Sequence, residues 1–451
     1  MAMRRRIDRR RLRDAEAREP LLEVLEVGLR SVDPGSLIER TLERRDDTLR
    51  IGEHAISVRG RRCWLIAVGK ASVGMAAVAE RVLGPLLAGG VAIAPHGAHL
   101  DSQRVLLQTA GHPVPDEGSV AAAEAVERLA RGLGERDVVL CLLSGGGTAL
   151  LASPAEGLGL DDLQKAFRVL LASGSPIGEM NAVRRHLTTL QGGRLAQKLY
   201  PAETYTLVLS DVVGNALEVV ASGPTVPDPS RFADARRVVE RRGLTTLLPD
   251  SVRRRIAEGE AGRLPETPKP GDEVFRRSSA GVLADGSTFV GAAEREARRA
   301  GWRIEPPPVR LVGEAREAGR LLGRGLRSLR ARPGSPVGWI LSGETTVAVS
   351  GRGRGGRNQE LALAAAEELL GVEGVLLASL ATDGVDGPTD AAGAIVDGRT
   401  VEIGRAAGWE ADRVLAENDV YPCLHATGDL LFTGPTGTNV ADVVVGYVDG
   451  V

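Results

Sequence analysis

The stretch Val138-Val139-Leu140-Cys141-Leu142-Leu143-Ser144-Gly145-Gly146-Gly147-Thr148 decides the fold. An apolar run without polar alternation is what a strand buried on both faces requires, and such strands belong to parallel sheets covered by helices. The abrupt change to Ser144 and the glycines marks the strand's carboxyl end, which is where open α/β sheets bind ligands. Glycines with free N–H groups at a helix start cradle phosphate or carboxylate, because orphan donors and the helix dipole both favour an anion. Ser144, Gly145, Gly146, Gly147 and Thr148 have that form. They match neither the phosphate loop ending in Gly-Lys-Ser/Thr nor the dinucleotide pattern Gly-x-Gly-x-x-Gly. A tight turn with no ligand has the same composition, so the neighbouring strand ends decide between the two.

Working outward, strand-length apolar runs alternate with helical patterns throughout, the mark of an α/β protein. In the first half the runs are Trp64–Val68, Val91–Ala94, Val105–Gln108 and Thr206–Leu209, with helical spacing over Ser72–Leu83, Ser119–Leu133, Leu160–Ala172 and Met180–Leu199. The second half shows the same alternation, with Gly281–Ala284, the helix Gly286–Ala300, Val337–Leu341, Thr345–Val349, the helix Asn358–Leu370, Val375–Leu380 and a last strand Val443–Val448. At 451 residues the chain exceeds the roughly 250–300 at which one core stops growing, so two domains are expected. Prolines crowd between Leu264 and Asp272, which puts the boundary there. The expectation is a Rossmann-like parallel α/β domain over residues 1–265 and a second α/β domain over 266–451, with the site in the cleft between them and the last strand a candidate to cross back to the first domain.

The residues following each strand carry the chemistry. Gly69-Lys70-Ala71-Ser72 opens a helix; Ser210-Asp211 follows Thr206–Leu209; Ser342-Gly343-Glu344-Thr345 follows Val337–Leu341; Ala381-Thr382-Asp383-Gly384 follows Val375–Leu380. Lys70 stands where an ammonium reaches a phosphoryl or substrate oxygen. It is one of only four lysines against an arginine background, and lysine supplies a compact, titratable charge that arginine does not. The loop Gly351–Gly356 leads to Arg357, whose forked guanidinium at a helix start suits transition-state charge, with Asn358 and Gln359 behind it. Asp211 reads as a general base for a hydroxyl or a Mg²⁺ ligand. Asp383, Asp386 and Asp390 resemble a calcium loop without its closing glutamate; Mg²⁺ ligation by Asp383 and Asp386 and plain Asp-Gly turns both fit. His112, in Gly111-His112-Pro113-Val114-Pro115-Asp116, reads as a residue that orders its loop, since no nucleophile shares its element.

Bulk properties narrow the partners to small molecules. The formal net charge is −2, which gives no electrostatic footprint for nucleic acid. No stretch approaches the ~20 apolar residues of a membrane span. Cys63, Cys141 and Cys423 read as buried free thiols in a reducing cytoplasm rather than as a disulfide or zinc framework. The arginine-rich start, Met1 to Arg13, lacks the apolar segment of an export signal and reads as a frayed, solvated tail.

In order along the chain, these pieces resemble the glycerate 2-kinase family, whose N-terminal domain is joined to a C-terminal domain called MOFRL. The matching segments are Val68–Ser72, Gly111–Asp116, Leu143–Leu150, Asn181–Leu187, Gln191–Ala196, Leu209–Gly214, Ala221–Thr225, Gly355–Glu360, Ala381–Pro388 and Thr436–Asn439. The resemblance implies ATP-dependent, Mg²⁺-assisted phosphorylation of D-glycerate at its 2-hydroxyl. It carries the family's key lysine and arginine onto Lys70 and Arg357, and implies substrate or nucleotide contacts from Asn181, Arg184, Glu344, Asn358, Thr438 and Asn439. The chain departs from the family pattern at Ser342-Gly343-Glu344-Thr345, one glycine short, and at Asn215-Ala216, where an acidic pair is usual. The rival readings are a nicotinamide-dependent hydroxypyruvate reductase and a non-catalytic sensor of sugar acids or nucleotides; a homo-oligomer is compatible with all three.

Overall fold

The structure, a computed structural model, describes residues 6–212, 214–330 and 334–450. Met1–Arg5 of the basic start and Val213 of the Leu209–Gly214 segment lie outside the described residues. By contacts the chain forms two compact units: Pro34–Leu283, and the segment ending at Asp33 together with the chain from Ala284 onward.

In the first unit, strands β1 (Leu42–Arg45), β2 (Thr48–Ile51) and β3 (His54–Ser57) make a small antiparallel sheet. The main sheet contains β4 (Arg62–Val68), β5 (Leu87–Pro95), β6 (Val105–Ala110), β7 (Asp137–Leu143), β8 (Glu203–Leu209) and β9 (Ser278–Ala284), in the order β6-β5-β4-β7-β8-β9. From β6 to β8 every pairing is parallel, as the unbroken apolar runs predict. All seven residues of β7 are buried, Cys141 among them, and the three cysteines are free and buried. Val68 pairs with Leu143 and Leu143 with Val208, so β4, β7 and β8 end side by side. The expected helix Met180–Leu199 is two: Ile177–Leu187 and Arg194–Leu199, separated at Gly192-Gly193, both at positive φ. The proline-rich segment expected to mark the boundary is stitched into this unit. Asp228 N–H donates to the Pro268 carbonyl at 3.0 Å, and the Thr267 hydroxyl to Asp228 Oδ2 at 2.9 Å.

The second unit has β10 (Arg303–Ile304), β11 (Val312–Glu314), β12 (Val337–Thr346), β13 (Val375–Ala381), β14 (Gly393–Asp397), β15 (Leu430–Leu431) and β16 (Asp442–Val448). The order is β10-β12-β16-β13-β14-β15, with β11 beside β12. This sheet is mixed rather than parallel. No helix lies in the loop from β13 to β14, and a connection without a crossover leaves neighbouring strands antiparallel. Three further expectations are corrected. The last strand does not cross back, because β16 sits between β12 and β13, antiparallel to both. Ser342–Thr345 is no strand end, because β12 continues through it to Thr346. The basic start is not frayed over its described part: Arg9 pairs with Glu26 at 2.9 Å, Arg13 with Asp429 at 2.9 Å, and Ile7 is buried. Among the described residues no helix is long and apolar enough to cross a membrane.

Candidate active site

In the first unit, the ends of β4 and β7 lock together through their backbones. Gly69 has φ of +120°, and a Cβ there would lie 2.2 Å from Ser144 Oγ, so only glycine allows the two strand ends this approach. Lys70 N–H donates to the Gly145 carbonyl at 2.9 Å and Ala71 N–H to Ser144 Oγ at 3.1 Å. Ser144 is therefore a buried clamp between the strands rather than an open ligand contact. Gly146, at φ +86°, faces both Lys70 and His112: a Cβ on it would stand 3.6 Å from Lys70 Cγ and 3.2 Å from His112 Cδ2. The structure thus gathers Lys70, His112 and the glycine loop at one strand edge, and His112 is closer to that loop than its sequence context suggests.

The other face of the loop rests on a turn in the Ala221–Thr225 segment, whose backbone conformation the sequence does not reveal. Ala221 and Ser222 both adopt left-handed backbone, at φ +50° and +58°, a conformation that costs a side-chain-bearing residue of order 1 kcal/mol or more. Thr148 Oγ1 lies 3.0 Å from Ser222 Oγ, and Asn181 Nδ2 donates to the Val219 carbonyl at 3.1 Å. Asn181 and Arg184 sit three residues apart on the helix Ile177–Leu187 and are joined by a 3.4 Å hydrogen bond. Asp211 follows β8 at the same sheet edge, next to buried Ser210.

In the second unit, Arg357 is the first residue of the helix Arg357–Leu369. Its Nε donates to Asp442 Oδ2 at 2.6 Å, its Nη2 to Asp442 Oδ1 at 3.1 Å, and its Nη1 to Glu344 Oε1 at 2.5 Å. Burial works against the guanidinium's charge, but Asp442 and Glu344 outweigh it and hold the arginine firmly protonated. Asp442 is 2% exposed, and burial pushes its carboxyl up to about 6 although Arg357 pulls it down. Arg357, Glu344, Glu360 and Asn418 line a cavity of about 570 Å³ whose apolar wall includes Val347 and Val385. Asp442 escaped the sequence reading; its one signal is an acid at the head of an otherwise apolar strand.

Several expected ligands are occupied in holding this unit together. Asp386 is 1% exposed and takes the backbone N–H groups of Asn358 and Gln359, at 3.1 and 2.9 Å, on its two carboxylate oxygens. It therefore caps the helix that carries Arg357, and burial raises its pKa. Asn358 is buried, receiving a hydrogen bond from the Ser379 hydroxyl at 2.6 Å. Thr438 donates to the Val32 carbonyl at 2.7 Å, and Asn439 Oδ1 accepts from Ala441 N–H at 3.4 Å. Asp383 Oδ1 accepts from Val385 N–H at 3.1 Å, ordering the turn after β13. Among the described residues no group of three or more His, Cys, Asp or Glu side chains is placed to hold a metal ion.

Residues 20–257 match the model of a domain of unknown function, DUF4147, and residues 337–442 match the MOFRL family. Glycerate 2-kinase from Pyrococcus horikoshii is 39% identical over 95% of this chain and 98% of that protein. The chain belongs to the glycerate 2-kinase family. D-glycerate 2-kinase from Thermotoga maritima is 43% identical over 86% of this chain and 91% of that protein. A crystal structure of glycerate kinase from Thermotoga maritima superposes with a TM-score of 0.82 at 39% identity, covering 96% of this chain and 99% of that one. Lys70, the glycine loop and Asp211 lie in the DUF4147 part, and Arg357, Glu344 and Asp442 in the MOFRL part of this glycerate 2-kinase family member.

Proposed function

We propose that the protein transfers the terminal phosphoryl group of ATP to the 2-hydroxyl of D-glycerate, giving 2-phosphoglycerate and ADP. The observation that carries this reading is Arg357, held by two carboxylates on the wall of a nucleotide-sized cavity in a chain of the glycerate 2-kinase family. Phosphoryl transfer asks little covalent chemistry of a protein; positioning and charge stabilisation dominate. Residues 1–265 contribute Lys70, whose ammonium offsets charge on the transferring group, and the Gly145–Gly147 amides, which receive an anionic group. They also contribute Asp211, which orients or deprotonates the acceptor hydroxyl. Residues 266–451 contribute Arg357, fixed by Glu344 and Asp442.

Mg²⁺ is expected for a nucleotide-dependent kinase, but the described residues build no cage for it. Asp386 in particular is engaged by helix N–H donors. A magnesium ion is commonly held by substrate phosphates, waters and one or two carboxylates, and Asp383, in the turn after β13, would be one such carboxylate. The reaction's partners are two small molecules, and the free, buried thiols suit a reducing cytoplasm.

The test is a coupled assay of ADP formation with D-glycerate, with the product's phosphate position read by NMR. ADP formation with phosphate on C2 is the expected result; absence of ADP formation overturns the reading. No oxidation of NAD(P)H by hydroxypyruvate is expected, since the dinucleotide fingerprint is missing. Lys70→Ala and Arg357→Ala should each lower kcat/KM by roughly a hundredfold or more. Rates within a few-fold of the parent would remove these residues from the mechanism.

A further inference from the structure

Three arginines are buried among the described residues: Arg18, Arg184 and Arg185. Arg18 is paired with Asp397 and Asp429 at 3.0 and 2.6 Å, and Arg185 with Asp228 at 2.8 Å. Arg184 differs. Only 4% of it is exposed, yet among the described residues it makes no ion pair with a carboxylate. Its Nη1 makes the long hydrogen bond to Asn181 Oδ1, and its Nε is buried with no acceptor. The guanidinium carbon lies 4.7 Å from the Phe167 ring centre, a contact that fixes the plane of the fork without neutralising it. Burial lowers its pKa to about 10, so the group stays cationic at neutral pH.

A buried charge without a counter-ion opposes folding, and a protein that keeps one retains it for something other than stability. The surroundings indicate what. Asn181, which orients Arg184, also holds the Val219 carbonyl, and from there the chain enters the left-handed Ala221-Ser222 turn. That turn supports the glycine loop: a Cβ on Gly147 would lie 2.6 Å from Ala221 Cβ, and Thr148 meets Ser222. Arg184 and the glycine loop are therefore coupled through one strained turn. The loop, with its amides and Lys70, offers the dispersed donors that a phosphoryl group needs. Arg184 offers one largely buried planar fork, which matches a single carboxylate bidentately.

We infer that Arg184, oriented by Asn181 and Phe167, is the subsite that takes the carboxylate of the acceptor. The inference rests on the glycerate kinase reading for the identity of that acceptor, and it makes the acid group the feature by which the enzyme selects its substrate.

The experiment compares the full-length parent with Arg184→Met, Arg184→Lys and Arg185→Met. Loss of a charge-assisted fork should raise KM for D-glycerate by roughly ten- to a hundredfold in both Arg184 variants, with KM for ATP within about twofold. If KM for ATP rises and that for glycerate does not, the anion is a nucleotide phosphate and the proposal falls. Thermal melting without nucleotide gives a readout independent of turnover. D-glycerate should raise the parent's melting temperature and leave that of Arg184→Met unmoved. Unliganded Arg184→Met should melt at or above the parent because an unpaired buried charge is gone, whereas Arg185→Met should melt lower. A lower melting temperature for Arg184→Met, with KM for glycerate unchanged in Arg184→Lys, would make the residue structural and overturn the proposal. If the parent forms no ADP but its glycerate-dependent melting shift vanishes in Arg184→Met, the kinase reading fails and the carboxylate subsite stands.

Discussion

Asp442 grips Arg357 with both carboxylate oxygens, at 2.6 and 3.1 Å, from the first residue of β16. The pair fixes the guanidinium's plane, and only Nη1, bonded to Glu344, reaches the more exposed side. Burial sets the Asp442 carboxyl near 6, so protonation just below neutrality removes the charge that orients Arg357. The expected consequence is a kcat that falls as pH drops through about 6. Asp442→Asn should lose roughly tenfold or more in kcat at pH 7.5 and show no such acid limb. Steady-state rates from pH 5 to 8 in both proteins check this; an unchanged acid limb in the variant would assign it to another group.

Gly69→Ala tests the clamp between β4 and β7. The added methyl would meet Ser144 Oγ at 2.2 Å and the Ser144 carbonyl oxygen at 2.5 Å, at a φ of +120° that alanine resists. The carbonyl oxygen is backbone and cannot turn aside as a side chain can, so the glycine loop must move. Stability to urea should fall by about 2–4 kcal/mol and kcat with it. A variant with parental stability and rate would show that the loop shifts without cost.

The parallel sheet was legible in the sequence because its strands are buried on both faces and leave continuous apolar runs, as β7 does. Strand ends then located Lys70 and the glycine loop. The second sheet was harder: β12 runs on through Ser342-Gly343-Glu344, where composition suggests a turn, because pairing with β11 and β16 overrides local propensity. Asp442, and the packing of the Ala221-Ser222 turn under the glycine loop, were invisible for a related reason, since their meaning comes from residues distant in sequence. Asp386 was misleading. Its Asp-Gly setting suits a cation as well as a helix cap, and only the hydrogen bonds to Asn358 and Gln359 distinguish them.

The N-terminal segment is predicted to be structural. Arg18, 1% exposed, shares Asp429 with Arg13, and Asp429 is wholly buried. Removing Arg18 leaves that carboxylate with one partner, which in a buried network costs about 3 kcal/mol. Arg18→Ala should therefore unfold at lower urea, with KM values unaltered in the folded protein. Parental stability would mean that Arg13 alone neutralises the site.

Glu367 gives the protein a pH dependence of opposite origin. Its side chain is 19% exposed, and burial together with a hydrogen bond that its protonated carboxyl donates to the neighbouring Asp412 raises its pKa from 4.5 to about 7, against a smaller pull from Arg320. The folded state therefore binds this proton more tightly than the unfolded chain does. Between about 4.5 and 7 the folded protein still holds a proton that the unfolded chain has released. Stability from this group is thus greatest at the acid end, declines as pH rises through that window, and levels off above 7. Glutamine mimics the protonated form. Glu367→Gln should match the parent near pH 5 and exceed it at pH 8 by about 1–3 kcal/mol. The lost ion pair with Arg320 works in the other direction, but that arginine is 39% exposed and the contact is 3.3 Å, so it offsets less than about 1 kcal/mol. Urea melts of both proteins at pH 5 and pH 8 decide the sign: a variant less stable than the parent at pH 8 would show that the ion pair outweighs the carboxyl repulsion.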